Sequence, residues 1–263
     1  MTIPLRFDLL TDHQTAVARA YLDARAGERH HLVVYLSGAH AYGFPSPDSD
    51  LDLKAVHIAA TGALVGLAAD AGGREDMVVV DDVELDYSSN ELGDVLRGAI
   101  KGNGNYLERL LGDLVLAGDL PRLGEVRPLV RAALSRRVVR HYAGFATSQR
   151  MAAIAGPTAK RVLYVLRTAR TGLHLLRTGE LVTDLTALTP LYGPDIAELR
   201  ARKQTGERVA LSAAEMETWR LELERAVRDL DLAVSTSMLP AEPPAAAVTA
   251  LEDWLRDTRR ALW

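Results

Sequence analysis

The stretch Leu32–Ile58, LVVYLSGAHAYGFPSPDSDLDLKAVHI, decides how the rest of the chain is read. An apolar run suited to a strand meets a turn bounded by Gly38 and Gly43, then a loop, Phe44 to Ser49, stiffened by Pro45 and Pro47. A second strand-like run, Leu51 to Ile58, is entered through Asp50-Leu51-Asp52. Side chains on a strand alternate between faces, so residues two apart point the same way. Asp50 and Asp52 are therefore expected on one face. Carboxylates that close repel each other, and a divalent cation such as Mg²⁺, which takes hard oxygen ligands, relieves the repulsion.

At 263 residues the chain is long enough for two domains. Its hydrophobic content of 48% against 25% charged is that of an ordinary globular protein. A formal net charge of -4 excludes a protein that is basic throughout, while 31 Lys and Arg leave room for a local basic groove. Cysteine is absent, so disulfides, thiolate catalysis and Cys-type zinc sites are excluded. No apolar run reaches the roughly 18 residues of a membrane span, and the N-terminus lacks a signal-peptide core. A cytoplasmic protein with no membrane partner is the expectation.

Outward from the opening stretch, Thr11 or Asp12 caps a first helix to about Ala26, and Met77–Val80 and Val83–Tyr87 read as strands around Asp81-Asp82. Ser88 with Glu91 matches a capping box for a helix to Ile100, and Tyr106–Leu111 is a further helix. Beyond Pro121 the pattern is helical, with segments near 126–134, 136–154, 158–176, 194–204 and 212–235 and a last amphipathic helix after Pro244. The expected organisation is α+β, with a small α/β domain over residues 1–120 and a helical domain over 121–263.

A third carboxylate on a neighbouring strand would complete a two-metal clamp for in-line phosphoryl or nucleotidyl transfer. Asp86 is the first candidate and Glu84 the second. The Gly38 turn leaves backbone N–H groups free for an anion beside Asp50 and Asp52. On the helix Thr158–Leu176, Val162, Leu163, Leu166, Ala169, Leu173 and Leu176 form an apolar face. Lys160, Tyr164, Arg167, Thr171 and His174 form a polar stripe on the other side, read as one wall of an NTP cleft. Lys101 suits either phosphate binding or a helix C-terminus. Arg131, Arg136, Arg137, Arg140 and His141 make a basic run that suits a nucleic-acid backbone or a solvated face.

Gly38-Ala39-His40-Ala41-Tyr42-Gly43 followed by Ser49-Asp50-Leu51-Asp52 resembles the nucleotidyltransferase signature of the DNA polymerase beta superfamily. More narrowly it is similar to a family of predicted nucleotidyltransferases whose signature reads Gly-Ser-x-Ala-Tyr-Gly, then Ser-Asp-x-Asp. Some of that family accompany RNA ligases in RNA repair. Lys101-Gly102-Asn103 with Glu108, Arg167, Thr178-Gly179-Glu180, and Lys203 with Gly206-Glu207 carry the resemblance from about Leu32 to Glu207.

The resemblance implies a polymerase-beta-like palm, a small mixed sheet with helices, followed by a helical domain that completes the NTP cleft. It implies Asp50, Asp52 and Asp86 as catalytic and metal-binding residues for two Mg²⁺ or Mn²⁺ ions. It matches Gly38 to the phosphate-contacting glycine; position and residue chemistry add Ser37, Ala39, His40, Ser49, Lys101, Lys160, Tyr164 and Arg167 as the residues expected to bind NTP. One departure stands out: Ala39 replaces the signature serine, removing a hydroxyl worth about 1 kcal/mol as a hydrogen bond. The implied activity moves an NMP from an NTP to an acceptor hydroxyl, an RNA 3′ end or else a protein or small molecule. The alternatives are a nucleotide-sensing or partner-binding module on the same fold, and a metal-dependent phosphoesterase.

Overall fold

Thr11 opens the first helix reciprocally: its hydroxyl accepts from Gln14 N–H at 3.1 Å, and the Gln14 side chain accepts from Thr11 N–H. This capping box starts α1, Asp12–Arg25, where the sequence places it. The structure, a computed structural model, describes residues 3–65, 67, 69, 72–206 and 209–263. It is a mixed α/β protein with a five-stranded sheet and, among the described residues, eleven α-helices. Contacts group the chain into a sheet unit, Met1–Gly38, Asp50–Ala133 and Pro243–Trp263, and a helical unit, Ala39–Ser49 and Leu134–Glu242.

The sheet unit is built on β1 (His30–Leu36), β2 (Leu51–Ile58), β3 (Arg74–Val80), β4 (Val83–Glu91) and β5 (Val115–Ala117), in the order β3-β4-β2-β1-β5. β2 and β4 run parallel, and the other three pairings are antiparallel. Asp81 and Asp82 both take positive φ, the pattern of a type I′ turn, and close a two-residue hairpin between β3 and β4. Leu51, Leu53 and Ala55 of β2 join Leu85 and Tyr87 of β4 and Val17, Ala18, Tyr21 and Leu22 of α1 in one core. On the other face, α3 (Leu92–Ile100), α4 (Gly104–Leu111) and α5 (Leu120–Ala132) pack against the sheet. The β2 residues of that face run from half-exposed Asp52 and Lys54 to buried Val56, so the face is open at the Asp52 end.

Local pattern misplaces one boundary. Ser88 does not cap a helix, because β4 continues to Glu91, with Ser88, Ser89 and Asn90 in register with Lys54, Ala55 and Val56. Ladder hydrogen bonds on both sides outweigh a local cap, and Glu91 itself caps α3, accepting from Gly93 N–H at 2.6 Å. The sheet unit also runs past the expected boundary at 120/121. Arg127 of α5 donates to the carbonyls of Leu110 and Gly112, which ties that helix to α4. The last helix, α11 (Ala245–Ala261), belongs here too: Arg259 pairs with buried Glu91 at 3.0 Å, and Trp254 donates to Glu125.

In the helical unit, α6 (Val138–Ala155), α8 (Leu185–Tyr192), α9 (Ala197–Gln204) and α10 (Ala213–Ala233) surround α7 (Ala159–Thr178). Every α7 residue from Val165 to Leu176 is buried. Gly172 lets the α7 backbone approach Tyr142 and Leu230 closely. Arg170, 1% exposed, donates to Thr189 at 3.0 Å and pairs with Glu222 at 3.1 Å. The Glu207 named in the sequence lies outside the described residues, among which no helix is long and apolar enough to cross a membrane.

Burial holds His31 down at about 4, helped by His57, Arg29 and His30, and its Nε2 meets the Tyr87 hydroxyl at 2.7 Å. The unfolded chain takes up this proton near 6.5 and the folded one does not until about 4. Stability therefore falls as pH drops through that window. Urea midpoints between pH 7 and pH 4 should decline less steeply in His31→Gln than in the natural protein.

Candidate active site

The register of β2 against β4 places Asp52 directly opposite Asp86. Neighbouring strands lie about 4.8 Å apart, so the two carboxylates leave the sheet side by side on its open face. Glu84, two residues before Asp86 on that face, is exposed and precedes the first β2–β4 pair, Leu51 with Leu85. It is Asp86, not Glu84, that faces Asp52. Asp50 is half-exposed and precedes the ladder, which begins at Leu51.

Lys54 stands two residues beyond Asp52 on the same face. Its ammonium lies 2.8 Å from Asp86 Oδ2 and 3.7 Å from Asp52 Oδ1, so one cation already spans the pair. The sequence reading missed Lys54, although the alternation that groups Asp50 with Asp52 extends to it. Ser37 holds the entry to the turn, its N–H donating to the Asp52 carbonyl at 2.8 Å. Gly38 follows with φ +65°, and a Cβ there would overlap Asp52 Oδ2. The glycine is required twice, by its backbone conformation and by the carboxylate packed against it. It opens the four-residue helix α2, Gly38–Ala41. Lys101 is exposed at the C-terminus of α3, where its charge suits the helix dipole.

The remaining expected residues belong to the helical unit. Ala39 and His40 are buried, Ala39 with its methyl where the signature has a hydroxyl. Ser49 is buried, and its hydroxyl accepts from Lys203 Nζ at 2.7 Å. Tyr42, Phe44 and Tyr164 form an aromatic cluster with centroids 5.5 to 6.1 Å apart, in which Tyr164 meets both other rings edge to face. Arg167 stacks on the Tyr42 ring at 3.5 Å, and Lys160 lies 5.9 Å from the Tyr164 ring.

The polar stripe of α7 is not a solvated face. Arg167, Thr171 and His174 are buried, Thr171 donating to the Val182 carbonyl and His174 bonded to Tyr192, while Lys160 and Tyr164 are half-exposed. The basic run is also partly committed within this unit. Arg137 pairs with Glu242, Arg136 donates to the Val234 carbonyl, and burial lowers His141 to about 4, which leaves it neutral near pH 7. Arg131 and Arg140 are exposed.

Among the described residues, no three His, Asp or Glu side chains are grouped as a metal site requires. The donor chemistry of Asp52 and Asp86 nonetheless fits a hard divalent ion, since both offer carboxylate oxygens and both are part-exposed, at 18% and 33%.

A sequence profile of the RNA repair pathway DNA polymerase beta family matches residues 15–257. The chain belongs to that family. The RNA repair family profile thus covers all five strands, the Gly38 turn and the whole helical unit. The chain is also 28% identical over 169 residues to the uncharacterized protein MJ0002 of Methanocaldococcus jannaschii, covering 63% of this chain and 69% of that one. Among solved structures, a nucleotidyltransferase-like protein from Exiguobacterium sibiricum 255-15 aligns over 94% of this chain and 80% of its own, with a TM-score of 0.34 and 11% identity.

Gly38→Ala should lower stability by about 1–2 kcal/mol for the left-handed backbone alone. Displacement of Asp52 adds to that, and the shift in urea midpoint measures the sum. The same substitution at Gly27, where a Cβ meets nothing within 4 Å, should have little effect.

Proposed function

We propose that this protein is a metal-dependent nucleotidyltransferase that moves an NMP from an NTP to an acceptor hydroxyl and releases pyrophosphate. The observation that carries the reading is Asp52 set opposite Asp86, with Gly38 packed on Asp52, in a chain of the RNA repair polymerase-beta family. Asp50, Asp52 and Asp86 would hold Mg²⁺ or Mn²⁺, two ions in the reading implied by the sequence. Such ions, when bound, neutralise charge on the attacking and leaving oxygens and lower the pKa of a bound hydroxyl.

In the transfer, the acceptor oxygen bonds to the α-phosphorus, and the bond from that phosphorus to the α,β-bridging oxygen breaks. Pyrophosphate leaves with the electron pair, and Asp86 takes the acceptor proton. Lys54, 2.8 Å from Asp86, holds that carboxylate in place and offsets the repulsion between Asp86 and Asp52. Gly38 lets the turn lie close to Asp52, as a phosphate-binding backbone needs. On the helical unit Lys160 and Arg167 are the basic candidates for phosphate, and Tyr164 offers a half-exposed ring for a base. An RNA 3′ end is the favoured acceptor, by analogy with the family.

Buried Ala39, where the signature has serine, favours one second reading, a nucleotide sensor that binds without turnover. Labelled NTPs with Mg²⁺, with and without RNA bearing a free 3′ hydroxyl, separate the two. Incorporation should depend on the metal and fall by about three powers of ten in Asp52→Asn, matching the several kcal/mol that metal-held charge supplies. NTP binding with no pyrophosphate release, whether RNA, protein or a small alcohol is offered, would establish the sensor instead. Release of monophosphate without a nucleotide product would make the protein a phosphoesterase.

A further inference from the structure

Lys203 of α9 has no exposed surface, and its ammonium donates to two hydroxyls, Ser46 Oγ and Ser49 Oγ. The two serines bracket a turn that their own sequence specifies. Ser49 N–H donates to the Ser46 carbonyl at 2.9 Å, closing a four-residue turn with Pro47 second and Asp48 third, the composition of a type I turn. Ser49 Oγ also accepts from Ser46 N–H at 3.0 Å and lies 3.0 Å from Ser46 Oγ. With its acceptor sites taken by Lys203 and Ser46 N–H, the Ser49 hydroxyl has Ser46 Oγ within reach for its own proton.

A surface turn closed by proline and a backbone hydrogen bond does not need a buried lysine. Lysine is almost never fully buried, because desolvating an ammonium is expensive unless hydrogen bonds replace its water. The return is positional. Lys203 ties the turn to α9, and the last residue of that turn is joined by one peptide bond to Asp50. The other end of the same segment, Ala39–Ser49, is joined directly to Gly38.

We propose that Lys203 is a positioning residue: through Ser46 and Ser49 it fixes the path by which the chain enters β2, and so the aim of Asp50, which precedes the ladder that already holds Asp52. It touches no substrate, since none of its surface is accessible. The anchoring stands on this geometry; the use made of it rests on the nucleotidyl-transfer reading above.

The test compares Lys203→Met, which keeps the length of the side chain without its donors, Lys203→Arg, and Ser49→Ala. Mn²⁺ affinity by EPR titration and steady-state transfer kinetics are the readouts, with far-UV circular dichroism to establish folding. Lys203→Met should bind Mn²⁺ several-fold more weakly and lose kcat by up to about 100-fold, the scale of a misplacement near 1 Å, with the KM for NTP little changed. Lys203→Arg should recover part of both. If Lys203→Met does not fold, Ser49→Ala carries the test, with smaller changes of the same sign. A folded Lys203→Met or Ser49→Ala protein with natural Mn²⁺ affinity and kcat would overturn the proposal while leaving the reaction intact. Weakened Mn²⁺ binding in a protein that transfers no nucleotide at all would uphold the anchoring and remove the reaction instead. Absence of Mn²⁺ binding in the natural protein would overturn both.

Discussion

Parallel pairing of β2 with β4 sets the spacing of the charged side chains on the open sheet face. Aligned this way, Leu51 meets Leu85 and Asp52 meets Asp86, so the apolar faces stack in one core and the acids leave together on the other side. A slip of one residue would turn every side chain of β4 over, burying Asp86 against α1 and exposing Leu85 and Tyr87. The hydrophobic core therefore enforces the separation of the two carboxylates. The repulsion this creates is met locally by Lys54. Position and charge balance are thus set by a single strand pair.

The helical unit solves a different problem, that of a central helix rich in polar groups. α7 is buried over most of its length yet carries Arg167, Thr168, Arg170, Thr171 and His174. Burying such groups is tolerable only when they are bonded. Thr168 reaches Gln149, Arg170 reaches Thr189 and Glu222, Thr171 the Val182 carbonyl, His174 the Tyr192 hydroxyl, and Arg167 the face of Tyr42. These partners come from α6, α8, α10, the 39–49 segment and the stretch before α8. A network with partners on so many elements specifies one arrangement of the unit more sharply than apolar packing could.

Strand alternation made the polar face of β2 that carries Asp52 readable, and the turn at Gly38 was legible because only glycine tolerates its backbone freely. α1 was placed within a residue because its capping box lies wholly within neighbouring residues. Ser88-Ser89-Asn90-Glu91 was misread for the converse reason: its local pattern suits a helix start, whereas its partners lie over thirty residues away on β2. β5 is too short to show a period, and α8 carries Pro190 inside it, which argues against a helix in any local reading. The α7 stripe showed its spacing but not its burial, because periodicity tells which residues share a side and not what covers that side. Lys203 sits in the sequence as an ordinary helix-end lysine, and its serine partners are some 150 positions away.

The sheet unit draws on three stretches of chain, and the last of them, with α11, follows the whole of the helical unit in sequence. On the ribosome every segment of the helical unit is therefore made before the helix that pairs with Glu91 through Arg259. Domains fold largely as units while synthesis proceeds. The five strands and α1 thus wait, with the α11-facing ends of α3 and α5 uncovered, for as long as it takes to translate residues 134 to 242. At about 5–20 residues per second that interval is on the order of five to twenty seconds, which makes the sheet unit the later of the two to close.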